Sequence, residues 1–282
     1  ESSKSKVTRY QNAEGIDNVI RAWARDFRNH PAMLGWYISD ENPRNELPRL
    51  RQMREVLAEA DPDHFTITLT YRISDFPAFM NTGDVFATDP YPIETTAKQN
   101  MSKVYNMMKA ASDLTPRVWM VPQAFNWKSY REHSNPKYPY RFPTEQEIRS
   151  MVLSGAIAGA KGFLFYSYNP IWNLQKNPTA EEDWQKVVPS VKLLRELEGF
   201  LISREKAPKV AVESKTQTIR AKAWMNSGKV IVAVTYDGPK SAEAIVTVPG
   251  CDSLKSRYGF TENLGGGKYR FKAQDISSDI LE

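Results

Sequence analysis

The chain has 282 residues, 41% hydrophobic and 25% charged, enough to bury a core in one large domain plus a small one and unlike a disordered or collagen-like chain. Its net charge of +5 comes from 38 basic and 33 acidic residues interspersed along the chain, without the clustered Lys and Arg of a nucleic acid binder. The single cysteine, Cys251, forms no intrachain disulfide and anchors no metal site, and no run of about 18 apolar residues is present to span a membrane.

In segment 13–29, Ile16, Val19, Ile20, Trp23 and Phe27 recur at spacings of three and four, which predicts a helix with one buried face. Pro31 ends it, because the residue before proline disfavours the helical region, and 32–38 is an apolar run of strand length. Segment 47–60 reads as a helix, 65–71 and 84–88 as strands, 95–114 as a helix and 117–121 as a strand. The next helix, 144–160, starts at a capping box formed by Thr144 and Glu147. Segment 162–166 is the fifth strand and 181–202 the closing helix. Five βα units in succession imply a parallel sheet, since parallel strands need helical crossovers.

Beyond Pro208 the texture changes. Short β-rich runs at 209–213, 219–225, 230–236, 244–248 and 269–272 are broken by Asn226-Ser227-Gly228, Asp237-Gly238-Pro239 and Gly265-Gly266-Gly267, the pattern of an antiparallel sandwich or barrel. The boundary is placed near Arg204, giving an α/β domain over 1–204 and an antiparallel β-sandwich over 205–282. That sandwich is expected to shield an outer face of the closing helix, where Val188, Val191, Leu194, Leu197 and Leu201 recur at helical spacing. The final Leu281-Glu282 reads as a remnant of cloning.

The most informative segment runs from His30-Pro31 through Gly35-Trp36-Tyr37-Ile38-Ser39-Asp40-Glu41-Asn42-Pro43. It delivers two adjacent carboxylates at the C-terminal end of an apolar strand, the face on which parallel α/β barrels build active sites. Successive strand residues point to opposite faces, so one of the two is expected to face the barrel axis squarely. The alternative role for both is to cap the helix that begins near Asn45, because carboxylates favour helix N-termini.

This run resembles the fourth strand of (β/α)8 glycoside hydrolases of the large retaining clan, in which a helix ending in His-Pro precedes a Gly-Trp-Tyr strand and an acid/base Glu. The resemblance continues in order: Thr88-Asp89-Pro90-Tyr91-Pro92 is similar to the end of the sixth strand, Pro122-Gln123-Ala124-Phe125 to the seventh and Tyr166-Ser167-Tyr168 to the eighth. It implies the last five βα units of a TIM barrel, with the first three preceding Glu1. It also implies a carbohydrate substrate, Glu41 as general acid, and an exported protein, periplasmic or extracellular, whose signal peptide is removed upstream of Glu1. A five-stranded open α/β sheet is the alternative fold.

Two positions depart from the clan. Asp40 stands where Asn is common, and Gln123 stands where the seventh strand usually supplies a nucleophilic Glu. A retaining glycosidase needs a second carboxylate about 5 Å from the acid and an inverting one needs it at about 6.5–9.5 Å. Gln123 can do neither, so Asp89 is the candidate base or nucleophile and Asp40 the next; alternatively Asp40 orients a substrate acetamido group that itself attacks. Tyr91, Gln123, Trp127, Tyr168 and Trp172 are the candidate sugar contacts. Plainer roles compete: an Asp-Pro turn for Asp89, a hydrogen-bonded strand end for Gln123, and a roof over the barrel for Trp127, Tyr168 and Trp172.

The connection 126–142, with Trp127, Tyr130, His133, Tyr138 and Tyr140, is long and aromatic and is expected to wall the site. His30, His64 and His133 have no ligand spacing, and serine-hydrolase, phosphate-loop and dinucleotide motifs are missing, so neither metal nor cofactor is expected. Two functions stay open: a glycoside hydrolase using Glu41 as general acid, and a non-catalytic carbohydrate-binding or scaffold protein. A second carboxylate sharing the cleft with Glu41 favours the first.

Overall fold

The computed structural model describes residues 8–95, 99–130, 137–172 and 179–282. A short hairpin, β1 (Arg9–Tyr10) and β2 (Ala13–Glu14), leads into helix α1 (Ile16–Phe27), which buries Val19 and Ile20. The alternating region follows as β3 (Gly35–Asp40), α2 (Leu47–Ala60), β4 (Phe65–Leu69), the single turn α3 (Phe76–Phe79), β5 (Val85–Thr88) and α4 (Ser102–Ser112). It continues through β6 (Val118–Met120), α5 (Glu145–Ala158), β7 (Gly162–Phe163), α6 (Tyr168–Trp172) and α7 (Ala180–Leu201). Strands β3 to β7 lie side by side in chain order and every pair is parallel, so all five C-terminal ends open on one face. Every residue of β5 and all but the first of β4 are buried, as expected when crossover helices cover a parallel sheet. This is the expected partial (β/α)8 barrel, and an antiparallel β-domain follows it.

That domain consists of β8 (Ala211–Ser214), β9 (Ile219–Asn226), β10 (Lys229–Tyr236), β11 (Ala242–Thr247), β12 (Thr261–Gly265), β13 (Lys268–Ala273) and β14 (Ser277–Leu281). They form two antiparallel sheets, β14-β10-β9 and β12-β13-β11-β8. Val232, Val234 and Tyr236 of β10 meet Ala244, Val246, Tyr269 and Phe271 of the other sheet in one core, which makes the pair a sandwich. The alternate residues of the same strands, Trp224, Ile231 and Ala233, join Ile280 against Val152, Leu153, Ala156 and Ile157 of α5. The three-stranded sheet is therefore a middle layer, apolar on both faces.

Helix α5 pays for that position with an unusually apolar circumference: every residue from Glu147 to Ala158 is buried. Its start is the expected capping box, with Thr144 Oγ1 accepting from Glu147 N–H and the Glu147 carboxylate accepting from Thr144 N–H. Arg149 lies over the Tyr258 ring at 3.9 Å, and Ser150 Oγ donates to Ser278 Oγ at 3.0 Å.

One expectation is extended here and one corrected. The sandwich packs on α5 as well as on α7: Leu197 and Leu201 of the expected stripe do join Trp224, Ile231 and Ile280 in one core, together with Leu193, while Val191 is 44% exposed. Leu281 is no appended tail, because it is fully buried in β14 and Glu282 exchanges backbone hydrogen bonds with Lys255.

Candidate active site

The carboxylates at the end of β3 owe their orientation to a bulge. Tyr37 pairs with Ile67 and Ser39 with Thr68, which leaves Ile38 as an extra residue. One extra residue reverses the alternation, so Tyr37 and Asp40 share a face and the Tyr37 hydroxyl donates to Asp40 Oδ1 at 3.1 Å. Glu41 extends the pairing by donating its N–H to Leu69 O at 3.1 Å, yet its φ is +52°, a left-handed conformation costing about 1 kcal/mol or more for a residue with a side chain. That turn brings Glu41 back toward Asp40, and both line the same cleft instead of one alone facing the axis. Neither caps a helix: the helical turn at Arg44–Glu46 and α2 both begin without a side-chain cap.

Asp89 follows β5 directly and is 4% exposed. Its Oδ1 has no hydrogen-bond donor among the described residues. Burial first, and then hydrogen-bonding contact with the Glu41 carboxyl and its charge, push the Asp89 carboxyl up to about 8; its own backbone N–H pulls the other way and Asp40 adds to the rise. Burial thus favours the protonated form of Asp89 at neutral pH. The phenols of Tyr37 and Tyr91 are raised as well, by burial and then by Asp40 and Asp89 respectively, which keeps them as proton-bearing donors. The Tyr37 ring is 45% exposed, but its hydroxyl end sits among the carboxyl groups.

The cleft is open and has a volume of about 460 Å³. Asp40, Glu41 and Asp89 line it together with an aromatic cluster of Tyr91, Phe125, Trp127, Tyr130 and Tyr166. Tyr91 stacks on Tyr166 at 5.9 Å between centroids, and Phe125 meets Tyr91 and Trp127 edge-on at 5.0 Å each. The described lining residues bring three carboxyl groups and no Lys, Arg or His, although the exposed Arg72 guanidinium feels the Glu41 charge.

Of the residues singled out from sequence, Glu41, Asp89, Asp40, Tyr91 and Trp127 meet in this cleft. Gln123 does not. It is fully buried, with its side-chain amide bound to the backbone of Ile93 and Phe125, so it has no face to offer a sugar. Tyr168 and Trp172, 60% and 36% exposed, sit on α6 and pack on each other at 6.2 Å outside the cleft lining, because the chain turns into α6 just after Ser167. Tyr138 and Tyr140 stack together away from the lining, and His133 lies outside the described residues. Sequence reasoning missed Tyr37, hidden by the bulge, and Phe125 and Tyr166, whose adjacency comes only from β6 and β7 being neighbours.

His64 and His30 serve locally: His64 Nδ1 contacts Asp61 at 2.9 Å and His30 Nδ1 accepts from Ala32 N–H at 3.1 Å. Among the described residues no group of His, Cys, Asp and Glu has the arrangement of a metal site, and no described helix is long and apolar enough to cross a membrane.

No family model and no curated protein matches this sequence. Solved structures do resemble the fold. A glycoside hydrolase of family 5 from Bacteroides vulgatus superposes with a TM-score of 0.57 at 10% identity, over 94% of this chain and 66% of the hydrolase. A variant of AmyP solved with maltotriose gives 0.55 at 8% identity, over 99% of this chain and 71% of AmyP. A further glycoside hydrolase gives 0.55 at 10% identity, over 94% and 67%. The chain thus spans about two thirds of the length of each of these proteins.

Proposed function

We propose that this chain carries the catalytic residues of a glycoside hydrolase, with Glu41 as general acid and Asp89 as its partner. The observation that carries the reading is the buried Asp89 carboxyl, its Oδ1 without a donor among the described residues, beside the exposed Glu41 in an aromatic cleft. A retaining enzyme holds its two carboxyls about 5 Å apart and an inverting one about 6.5–9.5 Å, and the closeness of Glu41 that helps raise the Asp89 carboxyl suits the shorter spacing. The double-displacement route fits better. As the glycosidic oxygen approaches Glu41, the proton that burial keeps on Asp89 moves to Glu41. Glu41 passes it to the leaving oxygen while the ionised Asp89 attacks the anomeric carbon; Glu41, now a base, then activates the water that releases the sugar.

Three carboxyl groups in a cleft walled by low-dielectric rings favour an uncharged or amino-bearing sugar over an acidic one. The alternative of a binding or scaffold protein with an eroded pair keeps Gln123 as its motive, although its amide is engaged with Ile93 rather than facing the cleft. The change from parallel to antiparallel pairing also supports Arg204 as the end of the catalytic module, the remainder being the β-sandwich.

The test is a panel of neutral, amino and uronic glycosides offered to the wild type, Glu41→Gln and Asp89→Asn. Hydrolysis by the wild type should fall by about 10²–10⁴-fold in Glu41→Gln, with oligosaccharide binding retained. Unchanged turnover in Glu41→Gln dismisses Glu41 as the acid, and a wild type that binds sugars but cleaves none turns the reading toward a binding protein.

A further inference from the structure

The connection after β5 carries both Asp89 and Tyr91 into the cleft, so something must hold it against the sheet. Just past Ile93 its main chain is paired, Arg141 N–H donating to Glu94 O at 3.2 Å beside an antiparallel bridge between Thr95 and Tyr140. At Ile93 itself the side chain of Gln123 acts as a strand: its Oε1 accepts from Ile93 N–H at 2.9 Å and its Nε2 donates to Ile93 O at 2.6 Å. These two bonds to one residue's backbone copy a pair of sheet hydrogen bonds. The second N–H of Nε2 donates to Phe125 O at 3.2 Å, so both amide protons are used. Gln123 and Ile93 are each fully buried, where bonds of this kind are costly to lose.

The main chain of Gln123 is engaged on the other side. It bridges Tyr166 in parallel fashion, flanked by Tyr166 N–H donating to Pro122 O at 3.1 Å and Ala124 N–H donating to Tyr166 O at 2.5 Å. One residue thereby joins the connection bearing Asp89 and Tyr91 to the segment bearing Tyr166, and the Tyr91–Tyr166 stack spans the same join. A carboxylate would fail in this place, because it has no protons to give Ile93 O or Phe125 O.

We propose that Gln123 is a positioning residue that, through Ile93, holds Asp89 against Glu41 and Tyr91 against Tyr166. The inference rests on the catalytic pair for its functional meaning, but its test reads the Asp89 carboxyl directly and needs no substrate. The substitution is Gln123→Met, which keeps the length and volume and removes all three amide bonds. In the full chain, carboxyl-carbon NMR titration should find Asp89 near 8 in the wild type and at least about one pH unit lower in Gln123→Met, as release of the connection hydrates Asp89 and separates it from Glu41. A variant that melts earlier while Asp89 still titrates near 8 overturns the proposal, since Gln123 then serves stability alone.

If Gln123→Met does not fold, amide hydrogen exchange of the wild type decides. Ile93 N–H protected to the level of the β5 amides supports the clamp, and exchange at the rate of an exposed loop contradicts it. Failure of Glu41→Gln to lower hydrolysis would overturn the catalytic reading and leave both of these measurements interpretable.

Discussion

Strand β5 has an aspartate at each end, and the two are treated in opposite ways. Asp84, just before the strand, is met by donors: Arg54 Nη2 at 2.7 Å, and the Thr66 N–H at 2.9 Å and hydroxyl at 2.8 Å. Burial pushes its carboxyl upward, but Thr66 and Arg54 together hold it below the ordinary range. Asp89, just after the strand, meets a carboxyl and an aromatic cluster, keeps one oxygen without a donor, and is pushed up to about 8. Asp61, on the same face as Asp84, repeats the first pattern, accepting from Trp36 Nε1 at 2.9 Å and pairing with His64. The sheet thus satisfies Asp84 and Asp61 at the N-terminal ends of the strands and leaves Asp89, at a C-terminal end, with an oxygen that meets no donor, in line with the division between stability and chemistry of this architecture.

The comparison makes predictions of decreasing size. Asp61→Ala strips the acceptor from Trp36 and His64 at a position 1% exposed, and should cost about 3 kcal/mol in denaturant unfolding while leaving the Asp89 titration unmoved. Should Asp61→Ala move Asp89, the two faces are not independent. Asp89→Asn should do the reverse. In the folded chain Asp89 holds its proton up to about 8, against 3.8 as its ordinary value, so the stability it contributes is fully present below about pH 4 and is lost as pH rises toward 8. Between about pH 5 and 9 the variant should lose less stability than the wild type, although its hydrolysis is gone. Parallel stability–pH curves for the two chains would break the contrast between Asp89 and Asp84.

The same contrast explains what was readable in the sequence. The βα alternation, the 47–60 helix and the Thr144 capping box rest on local pattern, and each is where that pattern puts it. Glu41 and Asp89 could be singled out because a carboxylate directly after an apolar run is a local signal as well. What failed was relational. The bulge at Ile38 decides which neighbours Asp40 has, and nothing in Tyr37-Ile38-Ser39 announces it. Gln123 was read as a sugar contact because its partners, Ile93 and Phe125, are set by the packing of β5 beside β6. Strand β14 was missed because Ser277, Ser278 and Asp279 are buried without being apolar; Asp279 earns its place by accepting from Ser256 Oγ and the N–H groups of Tyr258 and Phe260.

The central claim is that burial beside the Glu41 carboxyl raises the Asp89 carboxyl. Carboxyl-carbon NMR titration of the wild type and Glu41→Gln tests it most directly, with Asp84 as the internal reference. Asp89 should show a midpoint near 8 in the wild type and a clear fall when Glu41 becomes an amide able to donate to it, while Asp84 stays below the ordinary carboxylate range in both. An Asp89 that titrates near 4 in the wild type, or one that stays near 8 in Glu41→Gln, would contradict the claim.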